Sequence, residues 1–418
     1  MKLDFRLGRR SDAEVIGLDI QPGFVAAVKA RVNGSILAEE AAALPLGADT
    51  VRDGEVMDEG ALSDVLRELF NGSRLGKHVR VGVANQRTVL RTLELPPVTD
   101  RKELAAAVTF QAQDQVPMPL SNAVLDFHPL GIIDTPAGPR QRVVLVAAQR
   151  DMVERLLAAV RGAGLTPEGI DLSAFALIRS LYRHDADQSG RVLYLNVDGL
   201  TNLAIAEGTV CRFTRVVGSG LEGMASELAV RRGVPLSEAR ALLAAVDLDA
   251  PTALAQAHSQ PEDHVPAAVA EELAHEQADS EDLAQAAAGP PESYEELEAR
   301  ELSMSYEEMV AVGPAPTPAT PSDDDVREVL ENGIRELSGE VRNSIDFHRS
   351  QEGGGEVSHV VLSGAAQDIP GFAQALQASL GVDVRSGAVG LVDESLAGTV
   401  STHRLAVAAG LAATEAPQ

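Results

Sequence analysis

Two stretches of the chain share one rhythm of apolar and polar positions. VIGLDIQPGFVAAVKARVNGSILAE begins at Val15, and VLYLNVDGLTNLAIAEGTVCRF begins at Val192. Each reads as an apolar strand, an acidic or amide residue, a short turn, a second apolar strand, a glycine-containing hairpin and a third strand. Asp19 and Asn196 hold equivalent places near the end of the first strand. The pattern is either one unit used twice or two unrelated hairpins in an α/β protein.

Between the repeats the periods change. Leu62, Val65, Leu66 and Leu69 fall at helical spacing, and Gly72 closes that helix. Val79, Val81 and Val83 alternate along a strand, and TVLRTLELPP predicts another, stopped by Pro96 and Pro97. Asp100 and Glu103 form a capping box ahead of LAAAVTFQAQDQV. AVLDFHPLG and RVVLVAAQ read as strands, and DMVERLLAAVRGAG as a helix. After the second repeat, Met224, Leu228 and Val230 are expected to pack, Gly233 to end their helix, and Ser237 to cap the next one. Val326, Leu330, Ile334, Leu337, Val341 and Ile345 line one face of a long helix. Strand HVVLSG, turn AAQDIPG, helix FAQALQASLG, strand VDVRS and helix HRLAVAAGLAA complete the chain.

One region lacks any such period. From Asp247 to Ser322 the chain is rich in Ala, Glu and Pro and poor in large apolar residues, so it buries too little to offset its ordering entropy. It reads as a disordered or partly helical surface insertion. Residues 251–325 hold 18 Asp and Glu against one base, Arg300, and so carry 17 of the chain's 27 net negative charges. His258, His264 and His275 fall there at irregular spacing without cysteine, and read as solvated loop histidines. The acidic balance and scarce aromatics oppose a nucleic-acid partner. The single cysteine, Cys211, reads as a buried strand residue and favours an intracellular compartment. No early apolar stretch suggests a signal peptide or membrane span, and the basic opening MKLDFRLGRR reads as a frayed terminus.

A duplicated hairpin with a polar residue at its bend is how the actin-type fold builds a nucleotide cleft from two similar halves. Turn N–H groups would face phosphates, and the acid would hold a metal. The order of the parts resembles the PilM family of actin-like type IV pilus assembly proteins, and more distantly FtsA. Four stretches carry the likeness: IGLDIQPGFVAAV, FQAQDQVPMPL with LDFHPLG, VVLVAAQRDMVERLLAAVRGAGLTPEGIDLSAFALIRSL, and EVRNSIDFHRS with VSHVVLSGAAQDIPGFAQALQASLGVDV.

The resemblance implies an α/β, actin-like (RNase H-like) two-lobed fold with an inserted SHS2-type subdomain and the long acidic disordered insertion. The corresponding boundaries are 1–76 for the first lobe, 77–164 for the subdomain and 165–190 for the return to the first lobe. The second lobe takes 191–246 and 323–418, with 247–322 as the insertion. It also implies a cytoplasmic adaptor that binds the N-terminal peptide of a PilN-like inner-membrane protein. Such an adaptor is held at the inner face of the membrane through that partner. Pilus assembly ATPases are further partners it implies, with self-association possible.

The nucleotide positions implied by the family are Asp19, Gln21, Gly23, Asn196, Asp198, Gly199, Thr201, Gly364 and Ala365, with Asp19 reaching a metal through the nucleotide. Several depart from the family pattern. Gln21 stands for a glycine, Pro22 has no N–H, Phe24 replaces a hydroxyl, and Ala26 stands for a lysine. Asn196 replaces an aspartate, Leu243 an expected lysine, and Ala365 and Ala366 replace adenosine-loop glycines. Asp19 and Asp198 also suit turn-capping roles. Weak or absent ATP/Mg binding and hydrolysis follow as the expectation. An ATPase or small-molecule kinase on the same fold needs an intact phosphate cradle. An FtsA-like filament protein needs a membrane-seeking C-terminal helix, which LAVAAGLAATEAPQ does not offer.

Overall fold

The computed structural model describes residues 14–136, 138–184, 190–218, 220–250, 323–351, 353–394 and 400–413. The basic opening stretch and nearly all of the acidic insertion lie outside the described residues.

The strands are β1 (Ile16–Gln21), β2 (Phe24–Asn33), β3 (Ser35–Pro45), β4 (Val51–Arg52), β5 (Glu55–Val56), β6 (His78–Val83), β7 (Val89–Leu95), β8 (Ala123–Thr135), β9 (Gly138–Gln149) and β10 (Thr166–Leu172). They continue with β11 (Arg191–Val197), β12 (Thr201–Glu207), β13 (Val210–Val217), β14 (Val357–Ser363), β15 (Val384–Ser386) and β16 (Gly390–Leu391). The helices are α1 (Glu59–Asn71), α2 (Arg101–Gln115), α3 (Arg150–Gly162), α4 (Ser173–Leu181), α5 (Leu221–Arg232), α6 (Leu236–Ala245), α7 (Asp323–Ser350), α8 (Phe372–Leu380) and α9 (Ala406–Ala412).

The two sequence repeats open two sheets of one design. The first runs β3-β2-β1-β6-β10, with β16 added beside β3, and the second runs β13-β12-β11-β14-β15. In both, the first three strands form an antiparallel meander. The fourth strand joins the first in parallel, and the fifth joins the fourth in parallel. Shared order and shared direction make the repeat a duplicated unit of the actin-like type rather than two unrelated hairpins.

Burial explains the uninterrupted apolar runs. Ile16, Leu18, Val79 and Val81 face a core closed by Leu62, Leu66, Val153 and Val160 of α1 and α3. Leu193, Leu195, Val360 and Leu362 face Val326, Leu330, Ile334 and Leu337 of α7 and Phe372 and Leu376 of α8. Between the sheets lies a third apolar cluster, in which α4 and α9 pack together with strand residues such as Ala26 and Tyr194.

A small sheet, β7-β9-β8, carries α2 on one face through Leu93, Val143 and Leu145 against Leu104, Val108 and Ala112. The inserted unit is therefore narrower than 77–164. β6 pairs with β1 and β10 inside the first sheet, and α3 packs on α1. The strand periods at both ends of the insertion are alike, and only pairing assigns them to a sheet.

Three local expectations are also adjusted. Asp100 does accept from the backbone N–H groups of Lys102 and Glu103, the forward half of its capping box. Ser237 lies inside the first turn of α6, whose cap position is Pro235, with no side-chain cap bond. Val230 is 85% exposed, because it falls on the outer face of α5 while Met224 and Leu228 turn inward. Cys211 is buried in its strand, and burial pushes its thiol up to about 12.

Candidate functional site

The turns of the two repeats meet at the mouth of a cleft of about 560 Å³. Its walls include Pro22, Gly23 and Phe24 from the first half and Asp198, Gly199, Leu243 and Ala365 from the second. Glu222, Arg240 and Arg404 add charge.

In the first half, the carboxylate of Asp19 is buried in the interior. Gln21 Nε2 donates to Asp19 Oδ2 at 3.0 Å, while Gln21 Oε1 is buried without a hydrogen-bond partner. Burial raises the Asp19 carboxyl from the ordinary 3.8 to about 7; the Gln21 bond opposes this and the nearby Asp198 charge adds to it. Gly23 has φ +77°, so the β1–β2 turn uses a left-handed residue where the chain must reverse in two residues.

In the second half, Asp198 is saturated with donors. Arg404 Nε reaches Asp198 Oδ2 at 3.0 Å and Arg404 Nη2 reaches Oδ1 at 2.6 Å, a two-pronged ion pair. The backbone N–H of Ala365 donates to Oδ2 at 3.2 Å and that of Gly199 to Oδ1 at 3.2 Å. The Arg404 guanidinium carbon also lies 3.4 Å from the centre of the Phe24 ring. Asn196 accepts from Ser363 Oγ at 3.0 Å, tying β11 to β14. Thr201 is fully buried at the start of β12. Gly364, at φ +89° and ψ −179°, occupies backbone space that excludes a side chain; a Cβ there would meet the Val197 carbonyl at 2.4 Å.

Of the nine sequence-derived positions, Gly23, Asp198, Gly199 and Ala365 line the cleft. Asp19, Gln21, Asn196, Thr201 and Gly364 are not among its lining residues. Arg404 was not legible as a site residue, since it is one arginine between the polar run Ser401-Thr402-His403 and an apolar helix, within no recognisable motif. The same holds for the Arg240–Glu222 pair, where Arg240 Nε donates to Glu222 Oε2 at 2.8 Å and Nη1 to the Leu46 carbonyl at 3.2 Å.

The residues present do not fit a metal-bound triphosphate between the turns. A Cβ on Gly199 would lie 2.2 Å from the Pro22 carbonyl, so the two turns already touch where phosphates would pass. Pro22 supplies a carbonyl and no N–H at that contact, and Asp198 has spent its oxygens on Arg404 and backbone N–H groups. Among the described residues, no group of three or more His, Cys, Asp or Glu is placed to hold a metal, and no helix is long and apolar enough to cross a membrane.

Residues 17–210 match the family model described as type IV pilus assembly protein PilM. Among solved structures, the fold is similar to that in a PilM-PilN type IV pilus biogenesis complex, with a TM-score of 0.67 and 21% identity over 96% of this chain and 98% of that one. The ethanolamine utilization protein EutJ from Carboxydothermus hydrogenoformans gives a TM-score of 0.46 at 13% identity over 96% of this chain and 89% of its own. MreB5 of Spiroplasma citri bound to ADP gives 0.46 at 12% over 95% and 94%. With its duplicated sheets and its match from residue 17 to residue 210, just under half of its length, the chain is similar to the PilM family of type IV pilus assembly proteins.

Proposed function

We propose that this protein works as an adaptor of a type IV pilus or related machine. It takes up the cytoplasmic N-terminal peptide of a PilN-like inner-membrane protein and contributes little or no ATP hydrolysis. The family match carries this reading, together with likeness to a structure whose printed title names a PilM-PilN complex. The small sheet supports it physically. Its order leaves β7 and β8 each with one neighbour among the described strands, and a free strand edge can accept an extended peptide. The small sheet would then be the SHS2-type subdomain of the family. Attachment to the inner face of the membrane would come through the peptide, and the acidic insertion would act as a solubilising spacer.

Titration of a labelled synthetic peptide copying that N-terminus onto the full chain tests the reading. Saturable binding of equal strength with and without Mg-ATP is expected. Absence of binding ends the adaptor reading, and turnover of ATP ends its non-catalytic part.

A further inference from the structure

The cleft contains a positive charge that neither repeated turn supplies, and the chain delivers it from its far end. Residues 401–404 are held by the second half. Ser401 Oγ donates to Asp368 Oδ1 at 2.7 Å, and the Gly364 N–H donates to the His403 carbonyl at 3.0 Å. His403 Nδ1 lies 3.1 Å from the Gly387 carbonyl. The next residues enter the interior of the first half. Ala406–Leu411 are buried, and α9 packs so closely that a Cβ on Gly17 of β1 would lie 1.8 Å from the Ala408 carbonyl. Arg80 closes the end of α9 by donating to the carbonyls of Leu411 and Ala413 at 2.8 and 2.9 Å. The segment is thus a strap that crosses between the halves at Arg404.

At that crossing Arg404 faces the Asp198 carboxylate from the second half and the Phe24 ring from the first. We propose that Arg404 is a built-in cation that replaces a metal-bound nucleotide in tying the two halves together, so that the strap joins the halves across the cleft without a ligand.

Three features fit together only on this reading. Phe24 and Asp198 both look like damage when measured against a phosphate cradle. A ring lacking a hydroxyl cannot hold phosphate, and a second carboxylate repels it. Around a guanidinium the same residues are complementary, because the ring face and the carboxylate both attract a planar cation. The contact of Pro22 with Gly199 then has a cause, since no phosphate keeps the turns apart. Asp19 adds a further acidic group close enough to be influenced by both Asp198 and Arg404.

Hydrogen exchange read by mass spectrometry on the full chain tests it, comparing wild type, Arg404→Met and Asp198→Asn with and without millimolar Mg-ATP. Met keeps the length of Arg404 and removes its charge. Exchange of peptides covering residues 16–25 and 196–202 should rise by roughly tenfold or more in Arg404→Met, as loss of a two-pronged charged pair implies. The β8–β9 sheet should stay unchanged, and Mg-ATP should leave wild type unaffected. Unchanged exchange at the two turns in Arg404→Met overturns the proposal. So does protection of those turns in wild type by Mg-ATP. Should Arg404→Met not fold, Asp198→Asn, neutral and of equal size, carries the same two outcomes.

Discussion

The two large sheets share strand order and direction, yet their first turns do opposite things. The first turn, Gln21-Pro22-Gly23, hides a carboxylate behind it and presents a carbonyl. The second, Asp198-Gly199-Leu200, exposes a carboxylate to the cleft and neutralises it with an arginine 206 residues away. Each half also has an arginine–carboxylate pair of low exposure that anchors the chain's last helix or the cleft. In the first half, Arg179 binds Asp171 and donates from Nε to the Gly410 carbonyl at 3.0 Å, so that pair serves packing of α9. In the second half, Arg404 and Asp198 sit at the cleft. Strand order is set by burial of alternating and continuous apolar runs, which turn chemistry does not touch. Turns are therefore free to change as long as each buried charge keeps a partner.

The comparison can be broken most directly at the packing pair. Arg179→Met leaves Asp171 buried with only the Leu172 backbone N–H, at 2.8 Å, as a donor. A loss of about 3–5 kcal/mol is expected, the cost typical of removing one member of a buried pair. Chemical denaturation measures it, and a loss below about 1 kcal/mol would mean that the pair does not hold α9 in place.

Next in size is the buried acid of the first turn. The folded-state pKa of Asp19, about 7, lies above the ordinary 3.8, so the folded protein holds a proton that the unfolded chain has released between those values. Stability from this group is therefore full below pH 4 and is lost as pH rises through 7. Asp19→Asn removes that loss. It should match wild type near pH 4 and exceed it at pH 8 by up to about 4 kcal/mol. Denaturation curves at the two pH values check the sign; a variant weaker than wild type at pH 8 would show that the carboxylate is stabilised where it sits.

The smallest effect separates ring from hydrophobe at the cleft. Phe24→Leu keeps an apolar side chain and removes the face beneath Arg404, and about 1 kcal/mol should be lost. If Arg404→Met already removes the contact, the same substitution in that background should cost less. A double-mutant cycle reads the difference, and strict additivity would deny the ring–guanidinium interaction.

Much of this arrangement was legible along the chain. The duplicated strands at Val15 and Val192, the α7 stripe from Val326 to Val341, and the glycine stops at Gly72 and Gly233 follow from local period and backbone freedom. Pro22, Phe24 and Asn196 were readable as departures from a phosphate-binding pattern. Other features were hidden for identifiable reasons. β6 and α3 have the periods of any strand and any amphipathic helix, so their membership of the first sheet rests on pairing. Val230 lies within one residue of a helical face and falls outside it. Arg404 is a single arginine between the polar run Ser401-Thr402-His403 and an apolar helix, and nothing near it in sequence points to Asp198 or Phe24.

By itself the sequence determined which residues turn inward and where elements stop, because side-chain periodicity and the conformational limits of glycine and proline act over a few residues. Only the tertiary structure decided that the two turns touch and that a strap from the chain's far end crosses between the halves. It alone decided that Arg404 pairs with Asp198. Those facts depend on distances between residues far apart in the chain, which close packing sets and local pattern does not encode.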